Sequence, residues 1–463
     1  MSSVSQPQMN HGIPDQPTVT PHALDVPGEP TDMEPAPRDT VFTLPRILRF
    51  AGALSVVSAM SLFLLQGWSE GNDVMRYLKL LGQTALLCAG GLALSHGLRE
   101  TKGARVFFGL ALLSIPANFT ILGALIYSIA PIDGVTGSYP AFAQWTIGDA
   151  SAIGLTVVLA TAALALVARF CFAVMARASA SSLAMGFLLL NAVLLVPLRA
   201  STFAAALALV GALAAMVLTR RLTRHDVALS TPEGRFALTA LFAPTLIIAV
   251  RSLAFYDVSA LAITLVLATG FAGLRHLATL PSRGERLVTF LNGLSLPLAA
   301  LTALAAAASL ERVLYGEWLP AAASLVFAAL AGDVARRAQP LWLHRLSIGL
   351  ISTALALGFI GSALLNSALV ASAALLFVGL LLLGASALLK RGTPALSGSV
   401  MIIAAMLHGG PSVLDALMHA NWMALSALGV TAVIAGSILE RRGSEWGGLL
   451  KQWQQRVATS LAA

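Results

Sequence analysis

The distribution of basic residues between apolar segments is the feature that most constrains this chain. Fourteen apolar stretches divide the sequence, and about 24 of its 29 Lys and Arg residues fall in alternate connections between them. Only five basic residues lie in the other connections, namely Arg76, Lys79, Arg199, Arg251 and Arg312. Because Lys and Arg accumulate on the cytoplasmic side of membrane proteins, this alternation predicts a polytopic protein with both termini in the cytoplasm.

The composition indicates that lipid, rather than water, surrounds most of this chain. Of its 463 residues, 57% are hydrophobic and only 11% are charged. A span needs about 20 apolar residues, so the chain has room for about a dozen or more helices and for no second folded domain. The apolar runs lack the period-two alternation of a membrane barrel. We therefore expect an all-α integral membrane bundle of about 14 transmembrane helices over residues 43–440, in the plasma membrane of a bacterial-type cell (its inner membrane).

The apolar runs set the expected positions of these helices. The predicted spans cover residues 47–66, 78–98, 104–130, 150–168, 178–198, 201–219, 236–256, 258–274, 287–308, 318–332, 346–364, 367–389, 395–409 and 420–439. Spans 318–332 and 395–409 are short for a membrane crossing. A model of 12 helices with one or two re-entrant pieces is therefore the alternative.

Two polar segments flank the predicted bundle. Residues 1–42 are acidic and rich in proline, which predicts a disordered cytoplasmic tail that a protein partner could bind. Residues 441–463 repeat apolar side chains at helical spacing, which predicts an amphipathic helix on the cytoplasmic leaflet, a frayed polar tail being the alternative. The net charge of +8 favours membrane lipids with anionic headgroups as partners at the cytoplasmic face, and not nucleic acid.

Two segments of the chain echo each other. Lys102–Pro116 and Arg283–Pro297 share a basic residue, Gly, Arg, two Leu and a Ser-aliphatic-Pro triplet at the same spacing. Their offset corresponds to six predicted spans, which restores the same orientation in the membrane. The echo therefore predicts a six-plus-six parallel repeat, as in transporters built by duplication. Chance similarity between two segments rich in Leu, Ala and Gly is the alternative.

The connection Gly97–Arg105 loosely resembles the Gly/acidic/basic loop motif of the major facilitator transporters. The family carries a second copy between spans eight and nine, where this chain has Gly273–Arg275 and Arg283–Arg286. The family's Asp is missing, Ala104 and Glu285 interrupt the basic runs, and two extra spans follow the twelfth. The resemblance covers about two dozen residues and implies a transporter-like bundle.

No Asp or Glu lies near the middle of a predicted span. The polar groups inside the spans are instead amides and hydroxyls. The candidate substrate-binding residues are Ser114, Asn118, Asn191, Asn292 and Ser295. Such groups can hydrogen-bond a neutral, zwitterionic or amphipathic solute, or they can simply join one helix to another. Prolines free backbone carbonyl groups within helices. The candidate hinges are Pro116, Pro244, Pro297 and Pro411.

A weaker pattern of possible metal ligands lies near the chain's end. His408-Gly409-Gly410-Pro411 is expected to interrupt an apolar segment, after which Asp415 and His419 would share one face of a short helix. An Asp/His pair at this spacing can bind a metal ion. Only three ligands are visible, so an ordinary loop with a short surface helix is the favoured alternative, and we expect no metal and no cofactor.

The function favoured by these patterns is a secondary-transporter-like or lipid-handling permease. The alternative is an assembly factor or scaffold that transports nothing and recruits partners through its tails. Common enzyme motifs for phosphate binding, metalloproteolysis and nucleophilic hydrolysis are missing, so we expect no enzymatic activity. A glycosyltransferase for lipid-linked sugars is a less favoured reading, based on Glu70 and Asp73 in the first external loop.

Overall fold

A computed structural model describes residues 73–97, 99, 101–131, 145, 150–311, 313–366 and 369–419, together with residues 51, 52, 55 and 58. The side chains of residues 414–419 are not among those described. The predicted tails 1–42 and 441–463 and the predicted span 420–439 lie outside the described residues, as does most of the predicted span 47–66. The account below concerns the unit that extends from Ala53.

The described ranges are helical and contain no β-strand, which confirms the all-α fold class. The helices are α1 Asp73–His96, α2 Thr101–Ile129, α3 Ala150–Met175, α4 Ala180–Ala192, α5 Ser201–Thr223, α6 Pro232–Ala240, α7 Ala243–Ala254, α8 Ala260–Ala278, α9 Glu285–Leu310, α10 Leu319–Arg337, α11 Leu341–Leu365, α12 Leu369–Leu389 and α13 Gly392–His419. Short 3-10 turns lie at Val193–Leu195, Val227–Ser230 and Gly316–Trp318.

Within the described residues, 11 helical segments are long and apolar enough to cross a membrane, with α6 and α7 counted as one segment. Ala180–Leu195 is a shorter apolar helix. Twelve of the predicted spans therefore correspond to helices of the structure. The two short predicted spans prove longer, because α10 has 19 residues and α13 has 28. Both segments are therefore long and apolar enough to cross a membrane, as the fourteen-span prediction requires.

Helix α2 is the central helix of the first part of the bundle. In its most apolar stretch 67% of the residues are buried, against 22% in α1 and 28% in α3. Phe108, Ile115 and Phe119 on α2 are inaccessible or nearly so. Gly123 allows α2 to cross the 3-10 turn after α4 at very close range, because a Cβ atom at this position would collide with the carbonyl oxygen of Leu194. Small residues at such crossings let helix backbones approach and gain van der Waals contact, which is the main attraction between helices in lipid.

The prolines proposed as hinges differ in their effect on the helices. Pro116, Pro297 and Pro411 lie inside the uninterrupted helices α2, α9 and α13. The expected break at Pro411 is therefore wrong, because α13 continues to His419. Pro244 lies in the first turn of α7, directly after the break that separates α6 from α7. Proline fits this position because the amide group it lacks would have no partner in the first turn.

The ends of the helices segregate by chemistry. We call one end of the bundle the basic end, where α5, α8 and α10 finish with Arg220, Arg275 and Arg337 and where Arg105 of α2 pairs with Glu233 of α6. We call the other end the aromatic end. There, three arginines each lie over an aromatic ring, with guanidinium carbon to ring-centre distances of 5.5 Å for Arg76 and Trp145, 3.6 Å for Arg199 and Tyr127, and 5.8 Å for Arg251 and Tyr256. The basic end corresponds to the predicted side that is rich in Lys and Arg. The aromatic end corresponds to the predicted side that is poor in them, and aromatic rings favour the headgroup level of a bilayer.

Candidate functional site

Ser114 and Asn118 face helix α1, where both bind Thr84. The Ser114 hydroxyl and the Asn118 Nδ2 group each donate to Thr84 Oγ1 at 2.9 Å. Thr84 in turn donates to the carbonyl oxygen of Leu80 at 3.1 Å. All three side chains are buried. These bonds join α1 to α2, which is the helix-joining role that such residues commonly have in membranes.

Two buried amide oxygens have no hydrogen-bond donor in the described part of the chain. They are Oδ1 of Asn118 and Oδ1 of Asn191, both on side chains with 0% exposure. Asn191 donates only to the Phe187 carbonyl oxygen of its own helix, at 2.8 Å. A buried acceptor without a donor costs on the order of 1–3 kcal/mol. These two oxygens therefore retain capacity to accept a hydrogen bond.

Asn292 and Ser295 belong to a different neighbourhood, at the start of α9. The side-chain oxygen of Asn292 accepts a hydrogen bond from Nη1 of Arg275. Ser295 donates to the Leu291 carbonyl oxygen of its own helix, at 2.8 Å. No hydrogen bond within the described residues connects this pair with Ser114 and Asn118, so the structure does not gather the predicted substrate-binding residues into one site.

Arg275 is the centre of a buried ionic network between helices. Its side chain is 2% exposed and donates from Nε to Oδ2 of Asp333 at 2.9 Å and from Nη2 to the Asp333 carbonyl oxygen at 3.4 Å. Asp333 also pairs with Arg337 at 2.9 Å and with Arg336 at 3.8 Å. The network therefore joins α8, α9 and α10 at the basic end.

The placement of Arg275 corrects a prediction. Gly273–Arg275 was expected in a loop between spans, as the second copy of the transporter-like motif, but these residues lie within α8. Gly273 packs against the ring of Phe242, because a Cβ atom there would lie 2.9 Å from that ring. The next residue, His276, is buried, stacks on Phe242 with ring centres 5.5 Å apart and hydrogen-bonds the Leu238 carbonyl oxygen at 3.1 Å. That oxygen lacks its helical partner because of the break between α6 and α7.

The connection between α8 and α9 carries further basic residues. Arg235 of α6 donates to the Ser282 carbonyl oxygen at 2.7 Å. Partial burial, together with the nearby charge of Arg235, lowers the pKa of Arg283 below its ordinary value. Ser282 has a positive φ of 54°, so the backbone turns sharply here. The connection is thus held against α6 at the basic end.

A groove of about 470 Å³ lies between α12 and α13, on the part of these helices farthest from the basic end. Its floor consists of the buried small residues Ser372, Ala405 and Gly409. Its rim consists of exposed apolar and small residues, namely Leu369, Ala373, Leu376, Met406, Gly410 and Val413. The helices approach closely at the floor, because a Cβ atom on Gly409 would lie 2.8 Å from Cβ of Ser372. No charged side chain lines the groove within the described residues.

The weak metal-site prediction stays a prediction. His408 bonds through Nε2 to the Asn366 carbonyl oxygen at 3.0 Å, so it joins α13 to the end of α11. The side chains of Asp415 and His419 lie outside those described. Among the described residues, no group of three or more His, Cys, Asp or Glu side chains could hold a metal ion.

The external acidic residues behind the glycosyltransferase reading are only partly described. Asp73 is buried at the start of α1, where it accepts a hydrogen bond from Arg76 at 2.7 Å. A carboxylate in the first turn also interacts favourably with the helix dipole. These contacts give Asp73 a structural role at the aromatic end. Glu70 lies outside the described residues.

Sequence reasoning missed both the Arg275 network and the groove. One signal for the network was present, because Asp333 stands three and four residues before Arg336 and Arg337, where oppositely charged side chains on a helix meet. The other half of the network comes from a different helix, which no local spacing reveals. The signal for the groove was the small residues Ser372 and Gly409, of which only Gly409 was considered, as part of an expected helix break.

The fold and these sites define a multi-pass, all-helical membrane protein with a basic end and an aromatic end. No protein-family model, curated protein or solved structure matches the chain. The loop resemblance to the major facilitator transporters therefore has no support from a family match.

Proposed function

We propose that the protein is a lipid-handling permease that binds an amphipathic solute with its aliphatic chain in the α12–α13 groove. The groove carries this proposal. Its volume of about 470 Å³ falls within the roughly 300–1,000 Å³ typical of ligand sites. Its rim is apolar and exposed on helices of membrane-spanning length, so an aliphatic chain could enter directly from the bilayer.

The surroundings of the groove favour an amphipathic solute over a small polar one. The groove offers one buried hydroxyl, that of Ser372, on an otherwise apolar or glycine floor. The groove lies at the start of α12 and in the second half of α13, away from the basic end. By contrast, Ser114 and Asn292 already bond to neighbouring helices. A neutral or zwitterionic solute bound in the bundle interior would have to compete with those bonds.

Lipid movement across vesicles tests the proposal. Full-length protein would be reconstituted into phosphatidylcholine vesicles that contain a trace of fluorescent NBD-phosphatidylcholine, and dithionite would report label that reaches the outer leaflet. The wild type should move label faster than protein-free vesicles. Ala373→Phe should slow this movement, because the larger ring fills the rim of the groove.

Ala387→Phe is the matched control, because Ala387 is also exposed on α12 but does not line the groove. It should keep the wild-type rate. A wild type no faster than protein-free vesicles, or an Ala373→Phe variant as fast as the wild type, would contradict the proposal. Size-exclusion profiles of both variants would verify that they fold.

A non-transporting assembly factor is the second candidate function. It is favoured by the internal bonding of Thr84, Ser114 and Asn118, which serves helix packing instead of a solute. Such a protein would recruit its partner through the acidic residues 1–42, and the charge alternation supports placing them in the cytoplasm. Deletion of residues 1–42 distinguishes the two functions: a permease should keep moving lipid, whereas an assembly factor should lose its partner.

A further inference from the structure

Four arginines converge around one carboxylate at the basic end. Asp333 is bonded by Arg275 and Arg337 and lies 3.8 Å from Arg336. Arg220 lies in the last turn of α5, which packs along α8, the helix that carries Arg275, and its charge interacts with those of Arg337 and Asp333. Arg275 is likewise within electrostatic range of Arg337 and Arg220. Four positive charges therefore face the single negative charge of Asp333, an excess of three.

The buried part of this cluster holds the exposed part in place. Arg275 is 2% exposed and uses Nε and both terminal nitrogens on Asp333 and Asn292. Arg275 binds one carboxylate oxygen of Asp333, Oδ2. The other oxygen, Oδ1, binds Arg337 at 2.9 Å and holds its guanidinium group in place. The guanidinium group of Arg336, 72% exposed, lies only loosely at 3.8 Å. The cluster thus has a rigid base and accessible outer arginines.

Two other described carboxylates of the basic end, Asp226 and Glu233, are engaged elsewhere, and Glu285 at the start of α9 forms no ion pair with the arginines of the cluster among the described residues. Asp226 accepts hydrogen bonds from the Ser179 hydroxyl at 2.6 Å and from the Ala228 amide at 2.9 Å. Glu233 pairs with Arg105. Arg220 forms no ion pair with any carboxylate among the described residues. The excess charge of the cluster is therefore available to an external anion.

We propose that Arg220, Arg336 and Arg337 form a binding site for a phosphate group at the basic end of the bundle. Guanidinium groups match phosphate oxygens through pairs of parallel N–H donors, which makes Arg well suited to this ligand. Basic pockets between transmembrane helices on the cytoplasmic side bind anionic headgroups. The same chemistry would accept a free phosphate or diphosphate. This site is separate from the α12–α13 groove, and it does not rest on the proposed function.

Ligand binding by purified full-length protein tests the site. Delipidated protein in neutral maltoside micelles would be titrated in parallel with phosphatidylglycerol, phosphatidylcholine and inorganic pyrophosphate, with bound species counted by native mass spectrometry. Neutral micelles remove the general attraction of a charged surface. The test variant is Arg220→Gln with Arg336→Gln, since both side chains are exposed and neither holds Arg275 in place. The control, Lys390→Gln with Arg391→Gln, removes the same charge between α12 and α13.

The wild type should bind phosphatidylglycerol in preference to phosphatidylcholine. The test variant should bind it about 20-fold more weakly, whereas the control should stay within about threefold of the wild type. If pyrophosphate binds with the same dependence on these arginines, the ligand of the site is a soluble phosphate. If only phosphatidylglycerol binds, the ligand is a lipid headgroup. Equal affinity of the wild type and the test variant for every anionic probe would overturn the site. So would a wild type that binds none of the anions. A thermal unfolding curve for each variant verifies that a loss of binding is not a loss of fold.

Discussion

Replacing Asp333 by Ala should destabilise the protein more than replacing its partner Arg275. Asp333→Ala leaves the Arg275 guanidinium group buried at 2% exposure with no carboxylate, and it also leaves Arg336 and Arg337 unneutralised beside it. Arg275→Met keeps the apolar stem of the side chain. It leaves a carboxylate that is 22% exposed and still bonded by Arg337 at 2.9 Å. The two halves of one ion pair therefore have unequal effects.

The magnitudes follow from burial. Breaking a fully buried ion pair by removing one partner costs about 3–5 kcal/mol. Since water reaches part of Asp333, we expect the lower end of that range, about 3 kcal/mol, for Asp333→Ala. Arg275→Met loses charged hydrogen bonds but strands no buried charge, so about 1.5 kcal/mol is expected. The difference corresponds to roughly a tenfold change in the unfolding equilibrium constant.

Steric trapping in neutral maltoside micelles would measure these free energies of unfolding without an anionic denaturant. Arg336→Ala is the control, because that side chain is 72% exposed and its ion pair is long. Exposed ion pairs contribute about 0–1 kcal/mol, so the control should resemble the wild type. The reasoning would be refuted if Arg275→Met cost as much as Asp333→Ala, or if Asp333→Ala were indistinguishable from the control.

Three further predictions concern helix packing. Gly123→Ala should destabilise the protein by about 3 kcal/mol, because the added methyl group meets the backbone of Leu194, which yields less easily than the end of a flexible side chain. A wild-type melting temperature would contradict this. Thr84→Val should lower the free energy of unfolding by only about 1 kcal/mol, since it removes two hydrogen bonds between α1 and α2 that each contribute about 0.6 kcal/mol. A variant that no longer folds would contradict this, because Asn118 would then depend on Thr84 for more than these hydrogen bonds. Cys88 on α1 packs against the core cluster that contains Cys171 of α3, and both thiols are free, so copper-phenanthroline should consume both in single molecules. Thiol counts that stay at two per chain would contradict this proximity.

Most of the fold within the described residues could be predicted from the sequence, because a bilayer imposes strong local rules. Backbone groups in lipid must bond within their own segment, so each long apolar run becomes a helix. Predicted span 346–364, for example, corresponds to α11 Leu341–Leu365. The predicted runs 318–332 and 395–409 are too short, because the helices continue through Asp333 and Pro411.

The candidate sites were predicted only in part. Ser114 and Asn118 were chosen as polar groups inside a span, and their partner Thr84 stood 34 positions before Asn118. Nothing local to α2 indicates that α1 presents a hydroxyl group at that level. Arg275 was assigned to a loop because a basic residue near the end of an apolar run commonly marks the membrane boundary.

The sequence by itself determined which segments are helices and which helix ends carry charge, because both depend on how each segment separately partitions between lipid and water. Only the tertiary structure decided which polar groups are partners. Arg275 is buried because Asp333, 58 positions away on another helix, neutralises it. The groove exists because Ser372 and Gly409 let α12 and α13 approach closely below a wider rim. Both features depend on which helices are neighbours, and that is set by the packing of the whole bundle.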